Sequence, residues 1–169
     1  FMGVQIEIIE VAGEPVTCPD LEVQGLVVSP SSPQSGQTVE ISWVDANTGN
    51  GAAAGNWYDR IGIINTTTGQ TLLDTSEHYT NNDILAGEVA VRSYQFTLPE
   101  GPAGVGDLQV IVTADEAGSV FERNAHGTAE TNNAATILIT STLATYPDLE
   151  VQGLAVVPSA PQSGQTVEI

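Results

Sequence analysis

The sequence predicts an all-β fold, an immunoglobulin-like antiparallel β-sandwich of about seven strands. Three observations carry this. Apolar and polar residues alternate with period two in segment after segment, helical spacing is sustained nowhere, and 17 glycines and 9 prolines punctuate the chain too often for long helices. Short strands separated by regular turn signals are the pattern of two packed antiparallel sheets.

The first strand is expected at Leu21–Val28, followed by a turn-rich SPSSPQSGQ stretch from Ser29 to Gln37. Thr38–Trp43 comes next. It places Val39, Ile41 and Trp43 on one face, and Trp43 is expected to fill the space between the sheets. NTGNGAAAG, Asn47 to Gly55, reads as a flexible connection to a strand at Trp57–Ile64. TTTGQ, Thr66 to Gln70, reads as a hairpin tip leading into Thr71–Thr75. Tyr94–Leu98 alternates again, and PEGPAGVGD closes a tight loop before DLQVIVTAD. That strand directs Leu108, Val110, Val112 and Ala114 to one side. Ala135–Thr140 is the last strand expected in the sandwich.

The chain also repeats itself. Pro19–Ile41 (PDLEVQGLVVSPSSPQSGQTVEI) and Pro147–Ile169 (PDLEVQGLAVVPSAPQSGQTVEI) agree at 20 of 23 positions, at an offset of 147 − 19 = 128 residues. Only Val27/Ala155, Ser29/Val157 and Ser32/Ala160 differ. A period of this length is that of a whole domain repeated in tandem. The organisation read from it is a domain at 19–146, a terminal strand or linker at 1–18 that ends a preceding repeat or is an exchanged strand, and opening strands of a second repeat, or an exchanged strand, at 147–169. Isolated strands are marginal in water. Gln5–Val11 and Pro147–Ile169 are therefore expected to pair with neighbouring copies or repeats by strand addition.

Charge narrows the partners. The chain carries 21 acidic residues, no lysine and three arginines, for a net charge of −18. Such a surface repels phosphate backbones and anionic bilayers, so neither nucleic acid binding nor membrane insertion is expected. Without lysine, no Lys–Asn isopeptide crosslink can form. Cys18 is the only cysteine, so no disulfide forms within the chain; its repeat equivalent is Tyr146. The sequon Asn65-Thr66-Thr67 is a short triplet of the kind that arises by chance.

Several segments, taken in order, carry a family resemblance. They are Pro19 to Trp43, N-x-G-x-G-A-A-x-G-x-W-x-D-R from Asn47 to Arg60, FTLPEG from Phe96, VTADEAGSVFERN from Val112, and ETNNAAT from Glu130. Together the chain resembles CARDB, the cell-adhesion-related domain found in bacteria, over Pro19 to about Thr140. The resemblance implies an immunoglobulin-like sandwich on secreted or surface proteins, often in tandem copies, with roles in adhesion or as spacers.

One constellation has metal chemistry. Asp115, Glu122, Asn124, Glu130, Asn132 and Asn133 fall in one late loop region, with Glu116 beside them and Asp59 able to approach. Calcium takes six to eight oxygens, favouring carboxylates with amide and backbone carbonyls. The loop is thus a candidate calcium site, the only cofactor the sequence suggests. The alternative is a polar turn whose Asn and Asp bond their own backbone. Arg60 reads as a structural ion-pair partner or as a cation over an aromatic ring. His78 and His126 lie in different polar segments with no ligand at zinc spacing. No G-x-S-x-G is present, and Gly104-Val105-Gly106 precedes a strand as a turn rather than a phosphate loop. An enzyme is not expected.

The function expected is an extracellular structural repeat unit of a bacterial or archaeal surface array, fibre or adhesin stalk. One alternative is an adhesin module for surface glycans or proteins, with Trp57 or Tyr58 stacking on sugar; alternation exposes at most one of the two. The other is a non-catalytic accessory domain of a secreted enzyme.

Overall fold

A computed structural model describes residues 16–79 and 83–168. Seven strands form: β1 (Leu21–Ser29), β2 (Thr38–Asn47), β3 (Trp57–Asn65), β4 (Gln70–Tyr79), β5 (Val89–Thr97), β6 (Gly106–Thr113) and β7 (Ala134–Ser141). One 3-10 turn, Gly101–Gly104, precedes β6. The strands build two antiparallel sheets, β1-β2-β5 and β4-β3-β6-β7. Each of the seven expected strands is present, and β2, β4 and β5 run longer than expected. Among the described residues no helix is long and apolar enough to cross a membrane.

Alternation explains the core. β2 turns Val39, Ile41 and Trp43 inward, β3 turns Ile61 and Ile63, and β6 turns Leu108, Val110 and Val112. Burial of each aliphatic side chain of this kind is worth about 1.5–3 kcal/mol. In β1 the inward series Leu21, Val23 resumes at Val28 instead of Val27. The register against β2 slips between Gln24 and Val27, where Gly25 takes φ 62°. That bulge returns Val28 to the core. A smaller cluster packs Leu21, Ala53, Ile84 and Val120 around Trp57, whose ring stacks on Tyr79 at 4.3 Å.

The sandwich has two distinct ends. At the N-terminal pole the chain before β1 is pinned between loops. The Cys18 carbonyl accepts the N–H of Asn50 and of Gly51, and the Pro19 carbonyl accepts that of Arg123. A Cβ on Gly49 would stand 2.4 Å from the Cys18 carbonyl oxygen, so only glycine lets these strands of chain approach. The expected flexible connection is therefore a fixed one: Asn47 is buried and its Nδ2 donates to the Gly51 and Ile84 carbonyls. At the C-terminal pole Ser35 N–H donates to the Thr142 carbonyl, which ties the β1–β2 loop to the end of β7.

Gln5–Val11 lies outside the described residues. Residues 147–168 do not form the expected opening strands. Among the described residues this segment makes one antiparallel bridge, Val157 to Glu168, and leaves Leu149 and Val151 exposed.

Candidate functional site

The loop from Ala114 to Asn133 gathers the six predicted calcium ligands at the N-terminal pole, and each is held by hydrogen bonds. Asp115 adopts a left-handed conformation, φ 43°, which aspartate tolerates better than most residues. Its carboxylate accepts the N–H groups of Ser119 (2.9 Å) and Val120 (2.6 Å). Glu122 is buried and reaches under β1: one oxygen accepts the Leu21 N–H at 2.5 Å and the other the Asn133 Nδ2 at 2.9 Å. Burial, partly offset by these bonds, pushes the Glu122 carboxyl up to about 7. Glu130 accepts the Glu122 N–H.

Asn124 and Asn132 form a second group. Both donate side-chain N–H to the Asp20 carboxylate, and Asn132 also donates to Glu22. Asp20 and Glu22 were not singled out in the sequence; their place at the start of β1, beside a distant loop, is visible only once the strands are paired. Glu116 lies outside the cluster, bonding Ser76 and facing Arg60. Among the described residues, no three His, Cys, Asp or Glu side chains are gathered so as to hold a metal ion. Beside the cluster lies an open polar cleft of about 650 Å³, lined by Cys18, Asp20, Thr48, Asn50, Arg123 and Asn124.

A buried ionic group lies between the sheets. Asp45 on β2 and Asp59 on β3 are both fully buried. Arg92 on β5 places Nη2 3.0 Å from Asp59 Oδ2 and Nε 3.6 Å from Asp45 Oδ2. Its guanidinium also lies 4.8 Å above the Tyr79 ring centroid. Trp43 Nε1 donates to Asp45 Oδ1 at 3.0 Å. Burial, with the Asp59 charge adding to it, pushes the Asp45 carboxyl up to about 8, and burial also raises that of Asp59. The protonated form is thus favoured in this pair, and a single proton shared within it leaves one anion for one guanidinium. Sequence reasoning missed Asp45 and Arg92. The signal was present, since Asp45 continues the inward series Val39, Ile41, Trp43.

The remaining candidates sort by exposure. Trp57 is fully buried, whereas Tyr58 is 50% exposed and tilts against His78 at 4.6 Å. His78 and His126 are both exposed. Arg60 forms a bidentate pair with Asp74, at 2.7 and 2.9 Å, on the surface of β3 and β4. Cys18 is a buried free thiol.

A family model described as CARDB matches residues 18–137. No curated protein matches the chain. Among solved structures, the chain is similar to the CARDB domain of a Pyrococcus furiosus protein, crystallised in complex with di-metal ions. The identity is 20% over 78% of this chain and 100% of that one, with a TM-score of 0.52. The solution NMR structure of that domain gives 22% identity over 76% and 100%, again with a TM-score of 0.52. These likenesses show the fold.

Proposed function

This chain belongs to the CARDB family, a cell-adhesion-related domain family, and we propose that it works as a non-catalytic structural repeat unit outside the cell. The setting would be a bacterial or archaeal surface array, fibre or adhesin stalk whose copies join by β-strand addition. The observation that carries this reading is the recurrence of Pro19–Ile41 as Pro147–Ile169. A unit that recurs supplies reach and multiplicity, and further copies add length without new chemistry. The net charge of −18 suits a salt-rich exterior, where cations screen self-repulsion. Surface proteolysis of intact cells, followed by immunodetection, tests the location. Protection equal to that of an internal control protein would rule the reading out.

A second reading, an adhesin module for sugars, is favoured by one feature: the exposed Tyr58 ring beside His78. Aromatic faces of this kind stack on pyranose rings. Glycan-array binding that disappears in Tyr58→Ala would establish it, and an array without signal would remove it.

A further inference from the structure

The segment 147–168 forms no strand, yet it keeps several local features of the segment it repeats. Its one bridge joins Val157 to Glu168; subtracting 128 gives Ser29 and Glu40, which are paired in the β1–β2 ladder. Gln162 N–H donates to Gln165 Oε1 at 3.0 Å, as Gln34 N–H does to Gln37 Oε1. Gly153 and Gly164 take φ 70° and 82°, where Gly25 and Gly36 take 62° and 76°. The three positions that differ between the copies, Val27, Ser29 and Ser32, are all exposed in the first. Every buried apolar residue of the first copy is retained in the second. Yet Leu149 is 92% exposed and Val151 85%, whereas their equivalents Leu21 and Val23 are 0% and 7% exposed. A segment with the side chains and local geometry of a core element stands without a core.

Resting on the repeat-unit reading above, we propose that Pro147–Ile169 is the β1–β2 unit of a second sandwich. The surface it completes is a second copy of the Ser42–Ser141 body whose β1 place is open. The body of its own domain cannot serve. That place is filled by Pro19–Ile41, and exchanging one segment for the other exposes as much apolar surface as it covers, so no net burial drives the exchange. Chain direction also forbids it. The chain leaves the first domain at the C-terminal pole, where the Tyr146 hydroxyl bonds Ser35 Oγ, the Gly101 N–H and the Glu100 carboxylate. The β1 place begins at the N-terminal pole, beside Asn50 and Arg123. The nine residues of β1 set these poles about 30 Å apart, and no residue lies between Tyr146 and Pro147 to span the gap. Joined copies therefore run pole to pole, with Tyr146 clasping the junction to the domain before it.

Hydrogen exchange on two chains tests this: the 169-residue chain, and the same chain continued by a second Ser42–Ser141. The expected result is that amides of 149–157 slow by about a hundredfold or more in the continued chain, approaching those of 21–29. Rates for 149–157 that match those of the 169-residue chain would overturn the proposal. Leu149→Asp in the continued chain is expected to strip protection from 149–157 and leave 21–29 unchanged, so the first domain reports on folding. Concentration-dependent protection of 149–157 in the 169-residue chain alone would show exchange between identical chains and would also overturn it. Protection in the continued chain of a protein that is not at the cell surface would keep this inference and remove only the location.

Discussion

Asp45 and Asp59 face each other across the gap between the two sheets, each fully buried, and burial raises both carboxyls. Asp59 Oδ2 meets Arg92 Nη2 at 3.0 Å, whereas Asp45 Oδ2 has no hydrogen-bond donor unless the pair holds a proton. With it, the pair carries a single negative charge opposite Arg92. The arrangement joins β2, β3 and β5, so a titration here acts on the contact between the sheets.

The first prediction is the pH dependence of that contact. The Asp45 carboxyl rises from 3.8 in the unfolded chain to about 8 when folded. Between those values the native state holds a proton that the unfolded state lacks, so this contribution to stability falls as pH rises from about 4 through about 8. Asp45→Asn keeps a donor toward Asp59 at every pH. Urea unfolding from pH 5 to 9 is expected to show a steeper loss in the native protein than in the variant, with the variant the more stable at pH 9. Parallel pH profiles would mean that Asp45 does not hold the proton.

The strands were legible because their burial is periodic. Trp43, Ile61 and Val110 follow from alternation alone, and Trp43 is indeed in the core. The same rule places Asp45 and Asp59 inside, but a carboxylate on an inward phase contradicts the expectation for charge, and only the pairing of β2 with β5 reveals Arg92. The 114–133 loop was legible as a polar cluster. Its partners Asp20 and Glu22 lie about a hundred residues away and come within reach through sheet closure. Asn47–Gly55 looked flexible because glycine usually signals freedom; here Gly49 is required by close approach to Cys18.

Glu122 is the second test. Its two oxygens hold the start of β1 through Leu21 and the late loop through Asn133. Glu122→Ala leaves both groups without a partner, at about 1–3 kcal/mol each. Glu122→Gln is expected to cost under about 1 kcal/mol, because its amide still accepts from Leu21 and Asn133 can turn its otherwise unpartnered Oδ1 toward the new N–H. Chemical denaturation at pH 8, where the Glu122 carboxyl is ionised, reads both. An alanine variant as stable as the native protein would show that this clamp does not hold β1.

Asn65 is the third. Although it heads a sequon, it is fully buried. Its Nδ2 donates to the Val105 carbonyl, and its Oδ1 accepts the N–H groups of Thr67 and Thr68. Asn65→Ala is expected to cost about 1–3 kcal/mol in thermal or chemical unfolding. Mass spectrometry of the protein made in a glycosylating host is expected to find Asn65 unmodified. A glycan at full occupancy would mean that the β3–β4 turn forms after modification or not as described.

Calcium is the fourth. Both oxygens of Asp115, of Glu122 and of Asp20 already accept N–H donors. Those donors direct hydrogen atoms into the space an ion would need, and a bound calcium requires six to eight oxygens free to face it. Asn124 and Asn132 present their amide nitrogens, rather than their carbonyl oxygens, to Asp20. A calcium concentration about 100-fold above the dissociation constant would add about 2.7 kcal/mol of stability, several degrees in a domain of this size. Thermal melts in millimolar calcium and in chelator are therefore expected to coincide. A rise of several degrees in calcium would require Asn124 and Asn132 to turn and the Asp20 bonds to break, and would return the six loop residues to the role of ligands.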